Sequence, residues 1–345
     1  MDLQIAALLA QDGITSGAIY ALLGVALVLV FAVTRIIFIP QGEFVAFGAL
    51  TLVTLQAGQI PGTVGLLCAL ALLVFLLDLP AALRGGSAVS LRSSLLSNLA
   101  YPLLLLIACY LLPLAQMPLL LQILLTLAIL VPMGPQLYRI VYQPLADTSV
   151  LVLLIASIAL HVALIGLGLV FFGAEGGRTD SFSDAAFSLG PMLITGQQLW
   201  VVGSSIALIV ALYLFFDRSL YGKALRATAI NRNGARLMGF SPVFAGKLTL
   251  LLAALIGVLS GVLIAPVTTI YYDTGFLIGL KGFVAAILGG LVSYPLAAAG
   301  ALLVGLLESF SSFWASAYKE VLVFTLIVPV LVWRSLRSHG VEEED

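Results

Sequence analysis

Four stretches of this sequence, residues 17–32, 101–114, 150–172 and 248–266, contain no Asp, Glu, Lys or Arg. A helix of about 20 mostly apolar residues crosses the hydrocarbon core of a bilayer. Strands of a membrane barrel are shorter and alternate apolar with polar positions. These runs do not alternate, so the sequence reads as all-α, a polytopic transmembrane helical bundle. Composition agrees: 62% of the 345 residues are hydrophobic and 9% charged. A soluble domain carries roughly 25% charged residues, and there is too little charge here to cover a water-facing surface.

Spans are expected at 13–34, 43–58, 62–79, 97–115, 118–137, 149–173, 198–216, 244–268, 276–292, 296–312 and 319–334. The literal count is eleven, and nine to eleven is the expectation. The 276–292 piece is short and holds Gly279, Lys281, Gly282, Gly289 and Gly290. A re-entrant segment is the alternative there, since irregular backbone at membrane depth must be buried in protein or line a cavity. One transmembrane domain over 1–345 is expected, with a basic loop at 217–247 and an acidic tail at 338–345.

Charge sets the orientation. Residues 217–247 hold Arg218, Lys223, Arg226, Arg232, Arg236 and Lys247 against one acid, Asp217. The positive-inside rule places this loop in the cytoplasm. The preceding loop, 174–197, carries Glu175, Asp180 and Asp184 against Arg178, which suits the outer face. Counting spans puts the Arg84/Arg92 loop, the Arg139 loop and the C-terminal tail inside. No Lys or Arg precedes the first apolar run, which argues against a cleaved signal peptide. Cys68 and Cys109 lie in apolar stretches with no CxxC or Cys/His pairing, so neither a disulfide nor a metal site is expected. The net charge of −1 does not point to nucleic acid.

Within the basic loop, 220–238 is rich in Ala and basic residues and reads as one short helix. Gly239 fits its C′ position and Pro242 a stop just beyond. Such a helix either docks a soluble partner or is a solvated loop whose arginines only set orientation. Charged groups at membrane depth cost about 2.5–3.5 kcal/mol on insertion scales, so Glu43, His161, Lys281 and Glu308 are singled out. Glu43 falls near a span start, with a structural or capping role there or a gating or packing role in a pathway. His161 reads as a neutral, hydrogen-bonded core histidine. Lys281 is expected to snorkel to the outer face, and Glu308 either caps its span or pairs with Lys281. Glycines 279, 282, 289, 290, 300 and 305 let helices approach closely, within this chain or against a companion. Tyr271, Tyr272 and Trp314 read as interfacial anchors.

Several of these pieces resemble one family. RATAINRNGARLMGFSP (226–242) is similar to the coupling segment of ABC importer permeases. The stretch from Tyr271 to Ser309, YYDTGFLIGLKGFVAAILGGLVSYPLAAAGALLVGLLES, resembles the C-terminal half of the branched-chain amino acid permeases. FIPQGEFVAFGA (38–49) resembles that family's Asn-Phe-Ala-His-Gly-Glu signature, with Gly42 and Glu43 matching and the Asn and His replaced. Residues 138–157 look like the segment before its middle span, whereas 64–135 is longer and more apolar than the family pattern.

The resemblance implies an ATP-driven importer with ABC ATPase subunits, a second permease, a different chain, and a periplasmic solute-binding protein, in the inner membrane with a cytoplasmic C-terminus. Branched-chain amino acids are the implied cargo, with urea or small amides as close alternatives. It also implies an ATPase-coupling set of Arg226, Ala229, Asn231, Arg232, Gly234, Arg236 and Gly239. Gly42, Glu43, Gly279, Lys281, Gly282, Gly289, Gly290 and Glu308 would line or pack against the path. A P-loop needs Gly-x-x-x-x-Gly-Lys-Ser/Thr, and the nearest run, 275–282, follows Lys281 with Gly282. No cofactor is therefore expected on this chain, and ATP is used by partner subunits. A stand-alone secondary transporter or channel is the rival reading. An intramembrane enzyme is a third, with no convergent catalytic set in the sequence.

Overall fold

The computed structural model describes residues 3–83, 95–189 and 192–338. The Arg84/Arg92 loop and the acidic tail end Glu342–Asp345 lie outside the described residues. Helix occupies every one of the eleven expected segments. Among the described residues, seven helices are long and apolar enough to cross a membrane on their own.

The chain divides into two compact units. One comprises Met1–Val28, Phe182–Val210 and Leu280–Asp345, the other Leu29–Ser181 and Ala211–Gly279. The helices, numbered in chain order, are α1 (Leu3–Thr34), α2 (Gln41–Gln56), α3 (Gly62–Leu83), α4 (Tyr101–Leu111), α5 (Leu119–Leu130), α6 (Met133–Leu137) and α7 (Val150–Phe172). A two-stranded antiparallel hairpin follows, β1 (Ala186–Leu189) and β2 (Met192–Thr195), in which Ala186 faces Thr195 and Leu189 faces Met192. Then come α8 (Gly196–Arg218), α9 (Leu220–Ile230), α10 (Arg232–Leu237), α11 (Pro242–Ile264), α12 (Thr274–Leu288), α13 (Tyr294–Trp314), α14 (Lys319–Thr325) and α15 (Ile327–Ser338).

In the larger unit, α2 is the centre of the core. Thirteen of its 16 residues are buried, as expected of a helix apolar on every side. It reaches its neighbours through glycine. A Cβ on Gly261 would overlap the carbonyl of Val45, one on Gly48 would sit 2.8 Å from the carbonyl of Val258, and one on Gly257 would sit 2.8 Å from Phe44. A Cβ on Gly42 would overlap the carbonyl of Gly275, and one on Gly279 would come within 2.8 Å of Gly42 Cα. Backbone therefore lies on backbone where α2 crosses α11 and the first half of α12, which is the packing small residues permit in lipid.

In the smaller unit, the N-terminal part of α1 packs on α13 in the same way. A Cβ on Gly305 would overlap the Gly13 carbonyl, and one on Gly17 would lie 3.0 Å from Leu302 Cα. Ser309 Oγ donates to the Leu9 carbonyl at 2.7 Å.

Several expected boundaries shift for identifiable reasons. The first helix starts at Leu3 and not at residue 13. Its polar interruption is satisfied: Gln11 Nε2 donates to the Leu193 carbonyl at 3.0 Å and Gln198 Nε2 to Asp12 at 3.3 Å, so the helix need not break there. The final segment, 319–334, is two helices with a break at Leu326. Pro329 lacks the N–H that would bond the carbonyl four residues back, and its ring crowds that carbonyl. Residues 118–137 extend to Leu145, through a π-helical turn at Tyr138–Tyr142 and a 3₁₀ turn at Gln143–Leu145. Residues 276–292 form a 15-residue helix closed by positive φ at Gly290 and Leu291.

Candidate functional site

The basic loop forms two helices where the sequence pattern predicts one. Asn231 is the reason for the correction: its backbone is extended, with φ −146° and ψ 99°, and its side chain accepts from Gly234 N–H at 2.8 Å. It thereby caps α10, as Asn readily does, while Ser219 caps α9 by accepting from Gly222 N–H at 2.9 Å. Gly239 has φ +89° and closes a Schellman motif: its N–H reaches the Arg236 carbonyl at 3.1 Å and the Phe240 N–H the Ala235 carbonyl at 3.0 Å. Pro242 opens α11 and Ser241 precedes it as the cap.

The arginines of this loop divide into two kinds. Arg226 donates to the Phe216 carbonyl and lies 3.7 Å from Asp217. Arg232 is half-buried and donates to the Ala146 carbonyl at 3.1 Å. Both are engaged with their own chain. Arg236 is exposed, amid Ile230, Leu237 and Met238, which are 86%, 88% and 79% exposed. Ala229 is half-buried, and Ala224, Leu225, Thr228 and Ala235 face inward. The helix pair thus presents an apolar patch with a basic residue, standing on a packed inner face.

The same unit contains a buried polar pair. Glu43, only 1% exposed, sits in the first turn of α2, and its Oε1 is 2.7 Å from His161 Nδ1 of α7. Glu43 is thus packed inside the protein, and His161 has its carboxylate as partner. The Phe276 ring lies over the imidazole, centroids 4.5 Å apart. Gln41, also buried, donates to the Ala253 carbonyl at 3.0 Å. A further ion pair joins Asp78 of α3 to Arg139, whose Nε and NH2 both reach Oδ1, at 2.9 and 2.7 Å.

In the smaller unit, Lys281 does not snorkel. Its ammonium is buried between Glu308 Oε1 at 2.6 Å and Glu320 Oε1 at 3.1 Å. Tyr20 donates to the other Glu308 oxygen at 2.6 Å, and its ring lies 5.8 Å from the ammonium. The physical reason is cost: two carboxylates at this depth need a cation more than the lysine needs water. Of the flagged glycines here, Gly282 lies against Leu23, Gly289 against Ala297 and Gly300 against Leu288. All are helix contacts within the chain.

Sequence reasoning missed Glu320, Asp78, Tyr142 and Ser157. Asp78 and Glu320 are charges inside or beside apolar runs, which is a signal in itself. Tyr142 and Ser157, hydrogen-bonded at 2.9 Å, gave none. Among the described residues no group of three or more His, Cys, Asp or Glu gathers as metal ligands.

Long apolar helices, buried ion pairs and a short exposed helix pair between two of the spans define a polytopic helical membrane protein. The family model described as branched-chain amino acid transport system, permease component, matches residues 9–331, and the chain belongs to that family. It is 30% identical over 219 residues to the high-affinity branched-chain amino acid transport system permease protein LivH of Salmonella typhimurium, covering 58% of this chain and 67% of the relative. It is 29% identical over 208 residues to the corresponding protein BraD of Pseudomonas aeruginosa, covering 58% and 68%. A probable LivH of Methanocaldococcus jannaschii is 29% identical over 199 residues, covering 54% and 61%. No solved structure matches the chain.

Proposed function

We propose that this chain is a permease subunit of an ATP-driven importer that carries branched-chain amino acids, or small solutes such as urea or amides, into the cytoplasm. It works in the bacterial inner membrane beside a second, different permease, receives solute from a periplasmic binding protein, and is driven by separate ABC ATPase subunits. It binds no cofactor of its own. The arginine-rich loop and the C-terminus face the cytoplasm, in keeping with the charge bias of the loops.

The observation that carries this reading is the exposed patch of Ile230, Arg236, Leu237 and Met238 on α9 and α10. Exposed apolar side chains grouped beside a basic one, outside the spans, mark a protein-docking face. The chain has no P-loop, so the energy comes from whatever docks there. Glu43, His161, Lys281 and Glu308, with the glycines beside them, hold the helices that flank the solute path.

The test is uptake of labelled leucine and of labelled urea in a strain lacking the native system, with the full set of subunits and again without the ATPases. Uptake only with the ATPases is the expected result, and the preferred solute identifies the cargo. Uptake that persists without any ATPase overturns the reading and favours a stand-alone transporter or channel.

A further inference from the structure

Resting on the importer reading, we propose that Arg232 is an internal strut and not an ATPase contact. It begins a route of three hydrogen bonds joined by two stretches of backbone that carries displacement of the α9–α10 pair to the buried Glu43–His161 pair.

The links are all within one compact unit. Arg232 is the first residue of α10, immediately after the Asn231 cap, so its position follows any tilt of that helix. Its NH1 holds the Ala146 carbonyl at 3.1 Å. Ala146 ends the 138–146 segment, which contains Tyr142, a side chain with no exposed surface. Tyr142 Oη and Ser157 Oγ are 2.9 Å apart. Ser157 and His161 are four residues apart on α7 and therefore on one face, and both are buried. His161 then meets Glu43 at 2.7 Å. Alongside this route the Phe38 ring packs against Tyr142 and Phe44, with centroids 6.0 and 6.1 Å away.

Two physical features make this route a lever. A fully buried tyrosine cannot absorb motion by swinging into solvent, so a shift of its backbone reaches Ser157. The segment that bears it is a π turn followed by a 3₁₀ turn, and such irregular turns are places where a helix changes pitch. Arg236, on the same short helix, is exposed and free to meet a partner. The two arginines thus have separable tasks, docking for Arg236 and transmission for Arg232.

The experiment uses the complete transporter reconstituted in proteoliposomes with its binding protein, and reads ATPase co-purification, ATP hydrolysis and solute uptake. Arg232→Ala and Tyr142→Phe should retain the ATPases and hydrolysis while solute moved per ATP falls roughly 2- to 30-fold, the range of mutations that alter coupling. Arg232→Lys, which still donates to a carbonyl, should recover part of the loss. The double variant should be no worse than the worse single one, because both break one chain. Arg236→Glu should lose the ATPases. Unchanged uptake per ATP in Arg232→Ala and Tyr142→Phe overturns the proposal, as does loss of ATPases in Arg232→Ala equal to that in Arg236→Glu. Failure of the wild-type chain to retain any ATPase overturns the importer reading instead.

Discussion

Removing the charge of Lys281 is expected to destabilise this protein more than any other single change in its cluster, with Lys281→Met as the test variant. The ammonium lies 2.6 Å from Glu308 and 3.1 Å from Glu320. At an effective dielectric of about 20, unit charges at those separations attract by about 6 and about 5 kcal/mol. Desolvation offsets much of this gross attraction, but truncating the lysine leaves two carboxylates with no cation, and breaking a buried pair costs about 3–5 kcal/mol. Glu308→Gln keeps the Tyr20 hydrogen bond and leaves Lys281 with Glu320, so it should cost less. Glu320→Gln should cost least, because that side chain is 33% exposed. The assay is denaturation of the purified protein in detergent, followed by loss of the monodisperse species with temperature. The expected order of stability is wild type, then Glu320→Gln, Glu308→Gln and Lys281→Met. If Lys281→Met matched the wild type, or fell above Glu320→Gln, the cluster would not be the buried ionic centre described.

Two further outcomes are expected. Gly42→Leu and Gly279→Leu should each abolish folded protein in the membrane fraction, because even a Cβ at these positions meets the facing backbone; normal accumulation of either would refute the contact. Arg139→Ala should destabilise by about 3 kcal/mol, since it strands the buried Asp78 carboxylate, while the double change Arg139→Met/Asp78→Leu should recover most of that loss. Equal damage from the single and double variants in the same detergent assay would show that packing and not charge holds this pair.

The spans were legible because hydropathy is a local property: 150–172 reads as a helix whatever lies around it. Pairings were not, because they depend on how distant segments lie against each other. Lys281 stood out as a membrane-embedded charge, and Glu308 as one possible mate. Glu320 stands at the start of the final span, 39 residues from the lysine, and nothing in the local pattern links the two. The partner of Glu43 is hidden for a related reason. Its early position in α2 reads as a span start, and only the fold brings that turn against His161, which Phe276 covers. The basic loop showed its helical content through alanine and its end through Gly239. Its internal break was hidden in one asparagine, because Asn serves equally as an ordinary helical residue and as a cap.

The meeting of α2 with α11 and the first half of α12 has a mechanical corollary. Ordinary helix pairs slide by letting interdigitated side chains hop between notches, and at the glycine crossings no side chain separates the two backbones. Main chain bears directly on main chain at Gly42, Gly48 and Gly261, so a slip of half a turn would drive a bulky neighbour into a space that only hydrogen can fill. These three segments must travel through any working cycle as a single keel, and the give in the machine has to come from the irregular turns that border it.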